Sequence, residues 1–291
     1  MTKDNPKVAV IILNWNGRED TIECLNSLKK AAYGNREVVV VDNGSTDGSQ
    51  AELKKRFPKV KLIENRENLG FAEGNNIGVR SVKADYYLLL NNDTVVNRNF
   101  IRELMKAGES SADIGVVGPK ICFYDRKNVI WAAGGLMKKN YGTRHIGYNE
   151  EDKGQYDSQR DVDFVSGCAL MVKKKTIRDI GLLDKEFFIY LEDVDYCLRA
   201  KEAGYRVLYA PNSLVWHKCS AGTRKTPEKA AFHTEKNILL LAGKHKLGLR
   251  FYAFDFLHLM KFIASCMLQL NYSGIKGALK AKLWYLRKKV L

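Results

Sequence analysis

The stretch "YYLLLNNDTVV", residues 86–96, ends an apolar run with two amides and a carboxylate. The tyrosines and leucines have the profile of a strand buried in a sheet. Asn and Asp are common in turns, so one interpretation is a turn alone. The other is that Asn91, Asn92 and Asp93 meet a cation or a phosphorylated ligand, because hard cations prefer oxygen ligands.

Polar clusters also follow three earlier apolar runs. "NWNGRED", "DNGSTDGS" and "NRENLGFAEGNN" come at the ends of the segments 7–15, 36–45 and 60–65. In an open parallel sheet, ligands bind beyond the carboxyl ends of the strands. One such cluster could be a turn, but four in succession predict a ligand site along one edge of a sheet.

The elements that would position these clusters alternate regularly over the first 110 residues. Strands are predicted at 7–15, 36–45, 60–65 and 86–90, and helices at 21–30, 48–57, 71–82 and about 98–108. This alternation predicts βαβ units, and therefore an α/β fold with a mostly parallel central sheet flanked by helices. Later elements are predicted as a strand at 164–174, a helix at 190–204 and a strand at 205–211, with a mobile acidic loop at 149–163. Residues 1–220 are expected to form one domain.

The C-terminal part of the chain differs in charge from the rest. The whole chain has a net charge of +15, and residues 218–291 hold 15 Lys and Arg against 3 Asp and Glu. Its longest uncharged run, Phe262–Ile275, is shorter than the roughly 20 residues that span a bilayer. We expect residues 221–291 to be a basic amphipathic helical extension on an anionic membrane surface, rather than a nucleic-acid binder. Packing of these helices on the domain is the alternative.

The cysteines and the N-terminus indicate where the protein works. None of the 6 cysteines forms a CxxC pair, so a zinc ribbon is not expected. The first residues lack the apolar segment of a signal peptide. Scattered thiols without an export signal favour a reducing compartment. The predicted location is therefore cytoplasmic, peripheral on the inner face of the membrane.

The ordered segments "VIILNWN", "VVVDNGSTDGS", "ENLGFAEGNN", "LLLNND" and "YLEDVDYCLRAKEAGY" resemble the motif set of glycosyltransferase family 2. The similarity covers about residues 7–220, and the nearest subgroup is the rhamnosyltransferase-like enzymes of surface polysaccharide assembly. The resemblance implies the GT-A (nucleotide-diphospho-sugar transferase) fold. It also implies inverting transfer from a nucleoside diphosphate sugar, dTDP-rhamnose or a UDP-sugar, to a hydroxyl of a lipid-linked or polysaccharide acceptor.

The resemblance also implies which residues bind the donor. Asp42 matches the residue that accepts a hydrogen bond from a uracil or thymine; an Asx turn before Gly44 is the alternative. Glycines in the donor loop would let the backbone approach a ligand closely. The donor-binding residues expected in this way are Asn14, Asn16, Asp42, Asn68, Gly70, Gly74, Asn91 and Asn92.

The motif "NND" matches the position of the family's DxD motif, which holds a divalent cation, Mg²⁺ or Mn²⁺. Asp93 provides the carboxylate, but an amide, Asn91, stands where the first acid would be. His217 matches a position where some relatives place a metal-binding histidine; a structural role beside Trp216 is the alternative. Asp93 and His217 are therefore the predicted metal ligands, with the donor's phosphates completing the site.

Three acids lie close together in "LEDVDYCLR". Glu192 and Asp193 match the family's ED motif, in which the Asp is the general base. An inverting transfer needs one carboxylate to accept the proton of the attacking hydroxyl. We assign that role to Asp193 and a secondary role to Glu192, with capping of the helix as the alternative for Asp193. Asp195 lies four residues before Arg199, which predicts a salt bridge along a helix.

Two other functions fit part of the pattern. A nucleotidyltransferase with a similar fold would need a Gly-rich basic loop near the N-terminus, and the sequence has none there. A catalytically silent membrane-binding scaffold would not need the three acids Asp42, Asp93 and Asp193. Both remain alternatives to the glycosyltransferase.

Overall fold

The structure, a computed structural model, describes residues 5–138, 142–219, 227–246 and 248–290. Its strands are β1 (Val8–Asn14), β2 (Arg36–Asp42), β3 (Lys61–Glu64), β4 (Tyr86–Asn91), β5 (Thr94–Val96), β6 (Ile114–Phe123), β7 (Ile130–Ala132), β8 (Gly135–Met137), β9 (Thr143–His145), β10 (Arg160–Asp161), β11 (Ala169–Lys173) and β12 (Arg206–His217). Its helices are α1 (Arg18–Lys29), α2 (Ser49–Arg56), α3 (Gly70–Arg80), α4 (Phe100–Gly108), α5 (Lys174–Ile180), α6 (Glu192–Glu202), α7 (Pro227–Lys244), α8 (Leu249–Leu268) and α9 (Tyr272–Val290).

The main sheet has the strand order β10-β12-β6-β11-β4-β1-β2-β3. Strands β4, β1, β2 and β3 are parallel to their neighbours, as the βαβ pattern predicts. Strand β11 enters between β4 and β6 and is antiparallel to both. The sheet is therefore parallel in the first part of the chain and mixed beyond it.

Two apolar cores cover the two faces of the sheet. Successive residues of a strand point to opposite faces, so in β1 Val10 joins one core and Ile11 the other. The first core contains residues of α1 and α4, such as Leu25 and Leu104. The second contains residues of α3, α6 and α7, among them Leu240. Helix α7 is thus part of the domain's packing.

Two later segments differ from the sequence-based expectation. The strand predicted at 205–211 continues to His217, after a register shift between Ala210 and Leu214. The acidic segment 149–163 does not extend freely into solvent as a mobile loop would. Its carboxylates at Asp152 and Asp157 lie 2.7 and 2.5 Å from Nζ of the buried Lys120. A buried ammonium needs such partners, which the loop provides.

Charged pairs join the C-terminal helices to one another. The predicted boundary at residue 220 falls in 220–226, outside the described residues. On α8, Asp255 lies 2.6 Å from Lys282 of α9, and His258 lies 3.5 Å from Glu235 of α7. No helix among the described residues is long and apolar enough to cross a membrane.

Helix α8 buries Asp255 together with the apolar Phe251 and Cys266, and it presents other apolar side chains to solvent. Phe256, Leu257 and Met260 are 61%, 59% and 50% exposed. The usual surface helix turns its apolar stripe to the core, so these exposed side chains are unusual.

Candidate active site

The carboxyl ends of β1, β2 and β4 meet at one edge of the sheet. Asn14 pairs in register with Asp42, and on the other side of β1, Leu13 pairs with Asn91, which is half-buried. Next to Asn91, Asn92 donates from Nδ2 to Oδ1 of Asn14 at 3.2 Å. The structure thus brings together the polar ends of three strands.

Asp42 is fully buried and accepts three hydrogen bonds. Its Oδ2 accepts from Nδ2 of Asn14 at 2.7 Å. Its Oδ1 accepts from the backbone N–H of Ser45 at 2.9 Å and from Nε2 of Gln50 at 2.7 Å. The Ser45 contact is the Asx turn that was the alternative role, so Asp42 makes that turn within a larger network. Its recognition of a nucleobase stays a prediction.

Asn14 and Asn16 differ in exposure. Asn14 is fully buried, and its Oδ1 accepts from Oγ1 of Thr21 at 2.8 Å while its amide orients Asp42. Asn16 is exposed, has a left-handed φ of 52° and accepts the N–H of Thr46 at 2.7 Å through Oδ1. Asn16 can therefore contact a ligand directly, whereas Asn14 can act by holding Asp42.

The predicted donor loop is shaped by close packing. Asn68 accepts the backbone N–H of Gly70 at 2.9 Å through Oδ1. Gly70 has φ +83°, and a Cβ there would collide with Phe188. A Cβ at Gly74 would collide with the side chain of Leu13. The structure gives both glycines a packing reason, different from the close ligand approach that the sequence suggested; donor binding by this loop stays a prediction.

Asp93 and His217 are neighbours although 123 positions separate them in the sequence. Strand β5 pairs with β12 so that Thr94 lies opposite His217. This register places Nε2 of His217 3.2 Å from Oδ1 of Asp93. Both side chains are almost buried, and the Trp131 ring meets the imidazole edge-on at a centroid distance of 4.9 Å. The two predicted metal ligands are therefore brought together.

The pKa of His217 is raised well above its usual range. Burial disfavours the charged imidazole, but the neighbouring Cys168 and Asp93 outweigh that effect. Burial also raises the pKa of the Cys168 thiol, so Asp93 is the charged neighbour that favours the protonated form of His217. A divalent cation bound here would instead need the neutral imidazole. The arrangement suits a positive charge beside Asp93.

A cation at this place would need ligands from outside the protein. Among the described residues, no group of three His, Cys, Asp or Glu side chains could hold a metal ion. One carboxylate and one imidazole nitrogen can supply part of the coordination of a divalent cation. The residues therefore fit a cation whose remaining ligands are phosphate oxygens and water.

Asp193 lies at the start of α6, where its carboxylate accepts two backbone hydrogen bonds. Oδ2 accepts from Gly167 and Oδ1 from its neighbour Val194, both at 2.8 Å. Burial raises the pKa of Asp193 against these bonds, which lower it. The Val194 contact joins neighbouring residues within the first turn of α6, whose N-cap position is Leu191 without a side-chain cap. The Gly167 contact ties Asp193 to the segment before β11. The adjacent Cys168 accepts the backbone N–H of Asn91 at 2.8 Å through its carbonyl.

The two other acids of the cluster have opposite environments. Glu192 is buried, its Oε2 has no hydrogen-bond partner, and burial together with Asp193 raises its pKa well above the usual value. Asp195 is fully buried and lies 2.8 Å from Nε of Arg199, which confirms the predicted salt bridge. Lys244, at 2.9 Å, is a further partner. Burial opposes the charge of Asp195, but its hydrogen bonds and cations lower its pKa to about 2.

Asn237 on α7 is a site residue that the sequence analysis missed. It is fully buried, and its Nδ2 donates to the carbonyl oxygens of Phe187, Ile189 and Tyr190 at 2.8, 2.7 and 2.8 Å. These residues form the turn that leads into α6 and the acid cluster. The signal available in the sequence was an amide beside the apolar run "ILLL" of a predicted helix.

The turn held by Asn237 is strained. Phe188, Tyr190 and Leu191 have φ values of 63°, 75° and 65°, which are uncommon for bulky residues. The Phe188 ring stacks on His233 of α7 at a centroid distance of 4.8 Å. Such strain persists only where the surroundings determine the conformation, and here α7 provides them.

Residues 9–181 match the family described as Glycosyl transferase family 2. The chain belongs to this family. It is 28% identical over 247 residues to the N-acetylglucosaminyl-diphospho-decaprenol L-rhamnosyltransferase of Mycobacterium tuberculosis, covering 76% of this chain and 79% of that protein. It is 26% identical over 283 residues to the dTDP-rhamnosyl transferase RfbF of Shigella flexneri, covering 92% of each. The rhamnosyltransferase-like assignment within family 2 is thereby confirmed.

Comparison with a solved structure identifies the fold. The mannosyltransferase of Pyrobaculum calidifontis, in complex with GDP-Man and Mn²⁺, superposes with a TM-score of 0.60 at 16% identity, covering 96% of this chain and 74% of that one. At this identity the likeness concerns the fold alone. The predicted GT-A fold is confirmed, and this member of family 2 is a glycosyltransferase.

Proposed function

We propose that the enzyme transfers a sugar, with inversion, from a nucleoside diphosphate sugar to a hydroxyl of a lipid-linked acceptor at a membrane surface. One observation carries the proposal. The backbone of residues 167–168 bonds both to Asp193 and to Asn91, which lies two residues before Asp93. One short segment thus contacts both the proposed base and the strand that leads to the proposed cation ligand Asp93. This arrangement suits a reaction between an acceptor hydroxyl and a sugar diphosphate.

The donor would lie along the edge formed by β1, β2 and β4. Asp42 would accept a hydrogen bond from the nucleobase, and Asn16 and Asn68 lie on neighbouring loops. Asp93 and His217 would hold a divalent cation next to the diphosphate. When bound, that cation neutralises negative charge on the leaving diphosphate.

The protein's own acids supply the proton transfer. Asp193 accepts the proton of the acceptor hydroxyl as its oxygen forms a bond to the anomeric carbon of the donor sugar. The bond from that carbon to the diphosphate oxygen breaks, and the nucleoside diphosphate leaves with the electron pair. Glu192, whose raised pKa keeps it protonated more readily, neighbours the base without competing for that proton.

The relatives suggest which substrates to try first. The mycobacterial relative is named for an N-acetylglucosaminyl-diphospho-decaprenol acceptor, and the Shigella relative for a dTDP-rhamnosyl donor. We propose dTDP-rhamnose as the donor and a sugar diphosphate lipid as the acceptor, with a UDP-sugar as the second donor to test.

The exposed face of α8 supports attachment to a membrane. Phe256, Leu257 and Met260 form an apolar surface next to the exposed Lys261. Apolar and cationic side chains together bind the interface of anionic lipids. We propose peripheral attachment on the cytoplasmic face, where this surface would bring the site to a lipid-linked acceptor.

A donor panel with and without Mg²⁺ or Mn²⁺ tests the proposal. The wild-type protein should be stabilised against heat by a nucleoside diphosphate and should form a glycosylated lipid and free nucleoside diphosphate. Asp93→Ala should lose metal-dependent turnover, whereas Asp113→Ala, at an exposed acid beside the opposite end of β12, should not. A nucleotide-bearing product would establish nucleotidyl transfer instead, and absence of turnover with every donor would favour the scaffold. Full activity of Asp93→Ala in EDTA would refute the metal role.

A further inference from the structure

A pocket of about 410 Å³ opens between the C-terminal helices and the acid-bearing turn. Ile238 and Leu241 of α7 and Phe251 of α8 form one wall, and Leu191 and Thr143 lie on the other. The volume falls within the range of small-molecule sites, about 300–1,000 Å³. Its walls are mainly apolar, unlike the amide-lined edge assigned to the donor.

The pocket adjoins both halves of the proposed active site. Leu191 lines the pocket and directly precedes Glu192 and the proposed base Asp193 in the chain. The base is therefore next to the pocket wall. Thr143 lies on β9, whose His145 ring contacts the Trp131 ring in a tilted arrangement at a centroid distance of 4.4 Å. Trp131 in turn contacts His217 of the metal pair. A ligand in the pocket would therefore lie between the base and the diphosphate region.

The pocket is also continuous with the exposed surface of α8. His258 lines it, and the neighbouring Phe256 and Leu257 are exposed. The other polar group of note is Lys138, an exposed ammonium on the lining. Burial raises the cost of charging His258, but its hydrogen bond to Glu235 is the larger effect and raises its pKa. A ligand with a short anionic group and a long apolar chain matches this combination of a lining ammonium, apolar walls and the exposed apolar surface of α8.

We infer that this pocket binds the isoprenoid segment next to the diphosphate of the lipid-linked acceptor. The inference rests on the proposed function. The cavity is too small for a long lipid, so it takes the first part of the chain, and the remainder continues along the apolar face of α8 into the bilayer. Lys138 faces the acceptor diphosphate, and the acceptor sugar reaches Asp193.

Binding of farnesyl diphosphate tests the pocket without any turnover. Calorimetry with the full-length protein should show binding at least about tenfold tighter than that of inorganic pyrophosphate, because burying apolar surface contributes roughly 25 cal/mol per Å². Thr234→Trp and Thr143→Trp fill the cavity from its two walls and should each weaken farnesyl diphosphate binding at least about tenfold. Thr234→Val keeps the side chain's size and is the matched control.

The same variants are then compared in transfer. Both tryptophan variants should raise KM for a prenylated sugar diphosphate and leave binding of the donor nucleotide unchanged, which also reports that they fold. Wild-type protein that fails to prefer farnesyl diphosphate over pyrophosphate, or tryptophan variants that fold and bind it normally, would overturn the inference. If farnesyl diphosphate binds as expected but no donor is turned over, the proposed function fails and the isoprenoid site remains.

Discussion

At the scale of single residues, the acid cluster shows how the environment assigns different tasks to one residue type. Arg199 and Lys244 form ion pairs with Asp195 and favour its ionised form, whereas burial raises the pKa values of Glu192 and Asp193. Of the two raised acids, Glu192 is buried and Asp193 is partly exposed. Burial without a cation raises a carboxyl pKa, and a base works best when its pKa is near the working pH.

Asp193→Asn should therefore slow transfer at least about a hundredfold, because general-base assistance contributes about 10² to 10⁴ in rate. Its affinity for the nucleotide sugar should stay near normal, since the amide keeps the side chain's size. Steady-state kinetics and calorimetry with the donor measure the two effects.

Asp195→Asn is the control for that comparison. It should reduce thermal stability, because Arg199 and Lys244 lose a buried carboxylate, yet leave kcat much less affected. Loss of a buried ion-pair partner costs about 3–5 kcal/mol. If Asp193→Asn kept wild-type turnover while Glu192→Gln or Asp195→Asn lost it, the assignment of the base to Asp193 would be wrong.

The pH dependence of kcat follows from the raised pKa of Asp193. The base is active when deprotonated, so activity should fall as pH drops through its folded pKa. That fall should occur above the ordinary Asp value of about 3.9, because burial shifts the pKa upward. Glu192→Gln should leave the acid limb nearly in place, since Glu192 is still protonated when Asp193 titrates. Two results would contradict this order of ionisation. One is a fall in kcat at the ordinary Asp pKa, and the other is a large shift of that fall in Glu192→Gln.

At the scale of elements, α7 links the C-terminal helices to the acid-bearing turn. Asn237 satisfies three carbonyls of a turn whose φ values are unfavourable, and Lys236 adds a hydrogen bond to the carbonyl of Glu186. A buried carbonyl without a partner costs about 1–3 kcal/mol. The geometry of Asp193 thus depends on a helix that follows the domain in sequence.

Asn237→Leu should loosen the turn at 187–191 and lower both stability and kcat. We expect a loss of about 1–3 kcal/mol in the free energy of unfolding, because the carbonyls lose their donor. Limited proteolysis of the turn and a chemical denaturation curve measure the effect. Lys229→Leu, at an exposed position of the same helix, is the control, and equal behaviour of the two variants would show that Asn237 does not hold the turn.

At the scale of the whole molecule, the C-terminal helices combine packing with exposure. Part of the tail's positive charge is already paired, since Lys280 lies 2.5 Å from Glu228 and Lys282 lies 2.6 Å from Asp255. These two pairs join the tail's helices to one another, and Lys244 of α7 also lies 2.7 Å from Asp184 of the domain. Packing of the tail on the domain is thus observed, whereas membrane binding by its exposed apolar residues stays a prediction. Removing the tail would unpack α7, so point substitutions on α8 are the sharper test.

Leu257→Asp should weaken binding to anionic vesicles roughly tenfold or more, because a leucine that enters the interface contributes about 1.5–3 kcal/mol. Tyr148→Asp is the matched control, as Leu257 is 59% exposed and Tyr148 58%. Vesicle sedimentation measures binding, and high salt should weaken it further by screening the cations. Equal sedimentation of both variants and the wild type would refute the membrane-facing role of α8.

Local sequence patterns determined the first part of the fold. The apolar runs and helical spacings predicted strands β1 to β4 and helices α1 to α4 within a few residues, because each depends on a short stretch of chain. The edge with Asn14, Asp42 and Asn91 was also predictable, since carboxyl ends of parallel strands necessarily meet. The pairing of Asp195 with Arg199 followed from the four-residue spacing on a helix.

Tertiary structure alone decided the contacts between distant segments. The Asp93–His217 contact needs β5, a strand of three residues, to pair with the extended end of β12. The support of the strained turn by Asn237 joins helix α7 to a loop about 50 positions earlier. The outward apolar face of α8 depends on which side of the helix finds charged partners. No local pattern encodes these pairings, because their stability comes from groups that only the folded chain brings together.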